Sequence, residues 1–465
     1  MSRSLLLVAV FASACAHDVA LGGPGTLVRV DSEPDGENCP EGGVAINTGL
    51  DLDGDAYLDD NEITSTQYVC NGESAVSCNG GTIVTGTISV TGSSELAMLE
   101  GANCVDGDLL IAGTDLTSLD KLTDLAIITG DLVIAGNSQL TSLDGIGNLR
   151  EVGRTYLLQG NPLITDLTPV GLLRRANQIN IIGNNGLVDL HGLEPIVTLG
   201  PNLAIVNNGS LTSLAGLENL STTGRTLSIR GNRSLTDVTA LDHLTSVHII
   251  DISGNAALGR VQLAGLEKVN ARVIINQNLA LTTVELPALS TAGEFLQFQA
   301  NGALTSINVP NLITTGAFLL NNDASLATVT APSLAITSGK IEMTGMPKLR
   351  TVDFSSLVSI GDALTINNAP QLPNLQGFSR LSSIGGTLTL TTDDTLTGFS
   401  GLDQLQLIFG DFVVSANARI SSFTGLGNLD EVGNNLTITN NPMLTVQTAQ
   451  SFAGSITVRG KVTIN

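Results

Sequence analysis

The chain contains no Trp, three Tyr, four His and five Cys in 465 residues, and its 20 Lys+Arg are outnumbered by 43 Asp+Glu. The shortage of cations leaves a formal charge of −23. This argues against nucleic-acid binding, since attraction to phosphates needs clustered Lys and Arg. An anionic membrane surface is disfavoured for the same reason. So few His and Cys leave little material for His-based catalysis or a His/Cys metal centre. No stretch approaches the ~18 to 20 continuous apolar residues of a transmembrane helix. Charged residues are only 14% of the chain, apolar ones are 42%, and Gly reaches 51. That is the composition of an ordered, aliphatic protein with ample length for a large core.

The amino terminus reads as a secretory signal. Arg3 is followed by an apolar run from Leu5 to Ala12 that is too short to span a bilayer. Ala12-Ser13-Ala14 is an A-x-A cleavage site, whereas Ser13-Ala14-Cys15 resembles the lipobox of bacterial lipoproteins, with Ala12 where Leu is usual. Cysteine arithmetic favours lipidation of Cys15. The remaining Cys39, Cys70, Cys78 and Cys104 are then an even set suited to an oxidising compartment. Of the three connectivities, the sequence-adjacent one, Cys39 with Cys70 and Cys78 with Cys104, is expected. A lipid on Cys15 is then the only expected membrane anchor, and Ala16 in place of the Asp that retains lipoproteins at the inner membrane implies, by the same resemblance, an outer-membrane destination. Residues 16–38 are rich in Gly, Pro and acids without hydrophobic period, a solvated tether. Twelve acids against Arg29 alone over residues 16–70 concentrate nearly half of the net charge there.

Asp51, Asp53, Asp55, Tyr57, Asp59 and Glu62 stand at positions 1, 3, 5, 7, 9 and 12 of an EF-hand-type loop, with apolar Leu58 at position 8. Alternate residues of a tight loop point inward at a hard cation. The position-7 carbonyl joins them, and the final Glu closes the sphere with two oxygens, so one Ca²⁺ is the expected ion. Ala56 replaces the Gly of the positive-φ turn and no amphipathic helix flanks the loop, which lowers the expected affinity. The competing reading is an acidic surface loop that binds nothing specific. Residues 39–72 also resemble a short cysteine-bracketed acidic domain found near the anchors of bacterial surface lipoproteins, a resemblance that brings context and no activity.

From residue 107 the chain repeats a unit x-L-x-I-x-x-N-x-x-L-x-x-L, as in Leu132-Val-Ile134 to Asn137 and Leu140, or Leu227-Ser-Ile229 to Asn232 and Leu235. Its Asn-equivalent position recurs at 114, 137, 161, 184, 208, 232, 255, 278, 301, 323, 346, 369, 393, 417 and 441, about 23 residues apart, which means a solenoid. Asn137, Asn161, Asn184, Asn208, Asn232, Asn255, Asn278, Asn301, Asn417 and Asn441 form an expected structural ladder, since an inward Asn can satisfy the backbone of its own turn and the next. Asp stands at 323 and 393, and Met346 and Ala369 break the ladder, so the middle is expected to be looser or differently bent. The organisation read from the sequence is a signal peptide (1–14), anchor and tether (15–38), a disulfide-closed calcium-loop-like domain (39–72), an amino-terminal cap (73–106), and repeats with a carboxy-terminal cap (107–465).

These repeats, with segments such as Leu140 to Gly153 and Leu426 to Gly433, resemble the receptor L-domain family. The resemblance implies a mainly β fold, a right-handed parallel β-solenoid of about 15 rungs akin to leucine-rich repeats, preceded here by the small acidic domain. It also implies a non-catalytic recognition scaffold on a cell surface, with a protein or cell-envelope ligand. No receptor cysteine-rich module is present, so signalling is not implied.

The expected outward mid-strand residues run from Leu110, Val133 and Leu157 through Asp251, Ile274, Gln297, Leu319 and Glu342 to Val413 and Thr437, with no aromatic and no cation among them. The face therefore lacks the rings of sugar-binding surfaces and the Trp, Tyr and Arg of interface hot spots. Asp108 and Asp131 are neighbouring carboxylates of the kind that β-helical polysaccharide lyases use. They have no evident Arg, Lys or His in their own strands, and no catalytic residue is assigned. His191, His243 and His248 are spread over different rungs, which indicates structural roles. Asn208, Asn219, Asn232 and Asn435 begin glycosylation sequons that matter only in a eukaryotic secretory pathway.

Overall fold

The computed structural model describes residues 26–33, 43–50, 58–59, 62–70, 76–78 and 80–465. The chain divides into two compact units, residues 1–75 and 76–465. Among the described residues no helix is long and apolar enough to cross a membrane.

In the first unit, Thr26–Glu33, Gly43–Leu50 and Ile63–Cys70 form an antiparallel sheet with Gly43–Leu50 in the centre. The third strand slips register at Thr48/Gly49. A Cβ at Gly49 would lie 2.0 Å from the Glu62 carbonyl oxygen, so only glycine lets the chain pass this close. Asp31 accepts from Arg29 Nε at 2.8 Å and Asn47 Nδ2 at 2.7 Å, and Thr66 Oγ1 donates to Asn47 Oδ1 at 2.6 Å, so buried Asn47 is satisfied across all three strands.

The second unit is mainly β, a parallel β-solenoid of about 17 turns. It has two more turns than the Asn-position repeat counts. Ile83–Thr85 and Ile88–Val90 stack in parallel before the first, and Thr457–Val458 and Val462–Ile464 after the last. The solenoid thus begins inside the stretch expected to be a cap. Alternation builds each turn's main strand: in Leu132–Ala135, Leu132 and Ile134 are buried while Val133 faces out. Each inward apolar side chain contributes about 1.5 to 3 kcal/mol once the neighbouring turns cover it.

The opposite wall has two forms, and local spacing decides between them. Where apolar residues stand three apart, the chain makes a tight turn: a 3₁₀ turn at Leu119/Leu122, Leu143/Ile146 and Leu375/Phe378, and a turn through a positive-φ glycine (Gly192, Gly216, Gly401) at Leu190/Leu193, Leu214/Leu217 and Phe399/Leu402. In the middle they stand two apart and are β-branched first: Val261/Leu263, Val284/Leu286, Ile307/Val309, Val329/Ala331 and Val352/Phe354. There Arg260–Gln262, Thr283–Glu285, Ser306–Asn308, Thr328–Thr330 and Thr351–Asp353 form a second parallel sheet. The middle of the solenoid is therefore differently built.

The residue before each ladder position adopts positive φ in all fifteen turns, from Gly113 to Asn440. Gly or Asn occupies most of these sites, but Gln277, Ala300, Thr392 and Ala416 hold φ of 56° to 58° without that freedom. The ladder itself runs unbroken from Thr114 to Asp323. Asn184 is typical: its Nδ2 donates to the Leu158 carbonyl at 2.8 Å, and its Oδ1 accepts the Asn161 N–H at 3.0 Å. Hydroxyls do similar work on the outside, Thr141 Oγ1 donating to the Thr117 carbonyl at 3.1 Å and Ser382 Oγ to that of Val358 at 3.0 Å.

Candidate functional site

Of the acidic loop, Asp51, Asp53, Asp55 and Tyr57 lie outside the described residues, as do Cys15 and Cys39. Cys70 is placed only as the last residue of its strand. At the loop's far end Glu62 is 3% exposed. Its Oε2 accepts the Asp59 N–H at 3.0 Å, and its own N–H donates to the Asp59 carbonyl at 3.0 Å. Leu58 is buried beside this turn, and its carbonyl accepts from Arg29 Nη1 at 2.6 Å. The closing carboxylate is thus turned inward. Among the described residues no three His, Cys, Asp or Glu side chains converge as a metal site.

Cys78 and Cys104 form a disulfide with Cα atoms 5.7 Å apart. Cys104 is buried at the start of Cys104–Asp106, so the bridge fastens the chain entering the solenoid to its second turn.

The pair Asp108 and Asp131 has no cation in its own strands but receives one from the next turn. Arg154 Nη2 bonds Asp108 Oδ1 and lies 3.2 Å from Asp131 Oδ2. Arg154 belongs to the next turn, within Glu151–Gln159, where the register shifts between Val152 and Thr155. The irregularity re-aims a side chain that strict alternation would not count on this column. The two carboxylates also serve the backbone. Asp108 Oδ1 accepts the Asp131 N–H and Asp131 Oδ1 the Thr155 N–H, each at 2.9 Å. The bond from the Asp131 amide, helped by Arg154 and Thr87, holds the Asp108 carboxyl below its ordinary range against the opposing effect of desolvation. Asp411 repeats the arrangement, accepting the Asn435 N–H at 2.9 Å.

Strand register aligns the outward mid-strand residues in one row, extended by Ser89 at one end and Thr463 at the other. What the sequence reading missed is the adjacent column, two residues earlier in each strand. There Arg272 pairs with Phe295 of the next turn, the guanidinium carbon 5.5 Å from the ring centroid, while its Nε lies 2.5 Å from Glu294. On the other flank of the row Asn276 Nδ2 donates to Gln297 Oε1 at 3.3 Å, and Gln297 Nε2 to Gln299 Oε1 at 3.2 Å. An aromatic, a cation and a chain of amides therefore border Ile274, Gln297 and Leu319. Reading every second residue to either side of the mid-strand position would have found them.

The histidines do not converge. His191 Nδ1 lies 2.8 Å from Glu194 Oε1, which raises its pKa, and His243 Nδ1 lies 2.8 Å from the Glu218 carbonyl oxygen. Asn208 and Asn232, which begin two sequons, are fully buried in the ladder.

A family model described as a domain of unknown function (DUF7151) matches residues 26–70, from the first residue of the three-stranded sheet to its last. No curated protein matches the chain. Among solved structures, an internalin (inlF) from Listeria monocytogenes is similar at 18% identity over 74% of this chain and 88% of its own, with a TM-score of 0.24. TLR13 in its complex with ssRNA13 is similar at 12% identity over 77% of this chain and 73% of its own, with a TM-score of 0.17. At such identities and scores neither likeness says what this chain binds.

Proposed function

We propose that this chain is a non-catalytic recognition or adhesion protein of a bacterial cell envelope, anchored by a lipid on Cys15, with the solenoid as its protein-interaction scaffold. The observation that carries this reading is the outward row from Ser89 to Thr463. It is a continuous parallel-sheet surface mixing aliphatic with hydroxyl and amide side chains, bordered by Arg272 and Phe295. About 17 turns at ~4.8 Å give a surface on the order of 80 Å long, enough to engage a macromolecule. Asp108 and Asp131, the strongest carboxylate pair for a polysaccharide-degrading reaction, are engaged by backbone amides and by Arg154.

Capture from an envelope extract with the full chain, compared with a Leu157→Asp/Leu319→Asp variant, tests the scaffold. A partner retained by the first and lost by the second supports it, and no partner favours an envelope spacer instead. Mass spectrometry of the mature amino terminus tests the anchor: an unmodified Cys15 on secreted protein would refute it. For the acidic loop the proposal is one Ca²⁺ held by Asp51, Asp53, Asp55, Asp59, Glu62 and the Tyr57 carbonyl, supported by the inward turn of Glu62. Titration calorimetry decides it, since equal heats for wild type and Glu62→Gln would sink the site. Peptide mapping tests the accompanying Cys39–Cys70 bridge.

A further inference from the structure

Ten buried Asn side chains in the ladder set a rule that two acids cannot follow as carboxylates. In the turns before and after them, Asn301 Nδ2 donates to the Ile275 carbonyl at 2.8 Å and Asn417 Nδ2 to the Leu390 carbonyl at 3.0 Å. Strand register makes Phe298 and Ile366 the corresponding carbonyls for Asp323 and Asp393. Both acids are fully buried, and their Oδ1 atoms take the usual acceptor role: Asp323 Oδ1 accepts the Asn301 N–H and Asp393 Oδ1 the Ala369 N–H, each at 2.8 Å. The Oδ2 atoms, buried and without a partner, stand where the ladder elsewhere presents a donor. An ionised oxygen has no proton to give a carbonyl; a protonated one does.

We propose that Asp323 and Asp393 are neutral carboxylic acids in the folded solenoid, each donating Oδ2–H to the carbonyl of the preceding turn, and that their ionisation loosens the joint between them. The two acids bound the gap in the ladder. The continuous bonds from Thr114 end at Asp323, Met346 and Ala369 offer no amide, and the ladder resumes at Asp393 through Asn417 to Asn441. The joint is therefore where the ladder's buried side-chain bonds are interrupted. Burial pushes Asp323 up to about 6 and Asp393 to about 7. Asp394 is the one charged group adding to the rise at Asp393, opposed by the Ala369 and Thr391 amides, and no charged side chain acts on Asp323. Both folded values exceed the ~3.9 of an unfolded Asp. The stabilisation is thus complete below about pH 4 and is lost as pH rises through about 6 to 7.

Two measurements on the full chain test this. Infrared difference spectra near pH 5, wild type minus Asp323→Asn/Asp393→Asn, should show the carbonyl stretch of a hydrogen-bonded carboxylic acid, fading as the pH is raised. Hydrogen exchange of amides from 323 to 393, corrected for its intrinsic rise with pH, should accelerate at least tenfold between about pH 5 and pH 8 in wild type and stay level in the double variant. As a converse, Asn278→Asp should create a second pH-sensitive turn in the otherwise continuous ladder. Absence of the acid band, or the same exchange profile in wild type and double variant, would overturn the proposal.

Discussion

The guanidinium of Arg154 lies 3.2 Å from the carboxylate of Asp131, one turn earlier in the solenoid, and the same nitrogen also bonds Asp108. The three side chains join three successive turns, and each carboxylate additionally accepts a backbone N–H of the turn that follows it. This is the geometry of a fastening along the solenoid axis. The expected outcome is that Asp131→Asn, which keeps an acceptor oxygen for the Thr155 N–H, leaves the urea midpoint nearly unchanged. Asp131→Ala should lower stability by about 1 kcal/mol. An equal loss in both variants would mean that the charge matters more than the acceptor.

The inner ladder should respond far more strongly. Asn232 donates to the Ile205 carbonyl at 2.8 Å and accepts the Asn208 N–H at 2.9 Å, in full burial. Replacing it with Ala strands both backbone groups, at about 1 to 3 kcal/mol each. Urea unfolding should therefore show a loss of roughly 2 to 6 kcal/mol, and a change below about 0.5 kcal/mol would contradict the assigned role.

Two substitutions should stabilise the fold. The Tyr156 hydroxyl is fully buried without a hydrogen-bond partner, so Tyr156→Phe should gain up to about 1 kcal/mol by removing an unsatisfied group at constant shape. Ala300 holds φ at 56°, a conformation that costs an L-residue ~1 to 2 kcal/mol relative to glycine. Ala300→Gly should therefore raise the thermal midpoint despite the greater freedom it gives the unfolded chain. A lower midpoint would show that the strain is relieved in another way.

Stability should also depend on pH in a direction opposite to ordinary acid denaturation. With its folded pKa near 7, Asp393 binds a proton that the unfolded chain releases near 4, so it opposes folding above neutral pH. Asp393→Asn should therefore stabilise the protein by on the order of 3 kcal/mol at about pH 8 and by much less at about pH 4. Chemical unfolding at the two pH values measures the difference, and a pH-independent effect would contradict it.

Much of this protein was determined by local sequence. The period of about 23 residues and the Leu-x-Ile alternation specify stacked parallel strands, because no single turn can bury its own apolar side chains. The Asn that recurs at ten of the fifteen positions specifies the ladder, because a buried bend needs a side chain that both donates and accepts. The spacing of the apolar residues on the opposite wall, two or three apart, already distinguishes strand from tight turn.

Tertiary structure decided what depends on neighbours about 23 or more positions away. Arg154 meets Asp108 and Asp131 only because a register shift redirects its side chain across two turns. Arg272 meets Phe295 only because parallel register places them side by side. Asp323 and Asp393 look like conservative replacements of Asn in the sequence. Burial opposite a carbonyl to which the ladder elsewhere donates is what makes their protonation part of the fold, since the free energy of a charge depends on the surroundings that stacking creates.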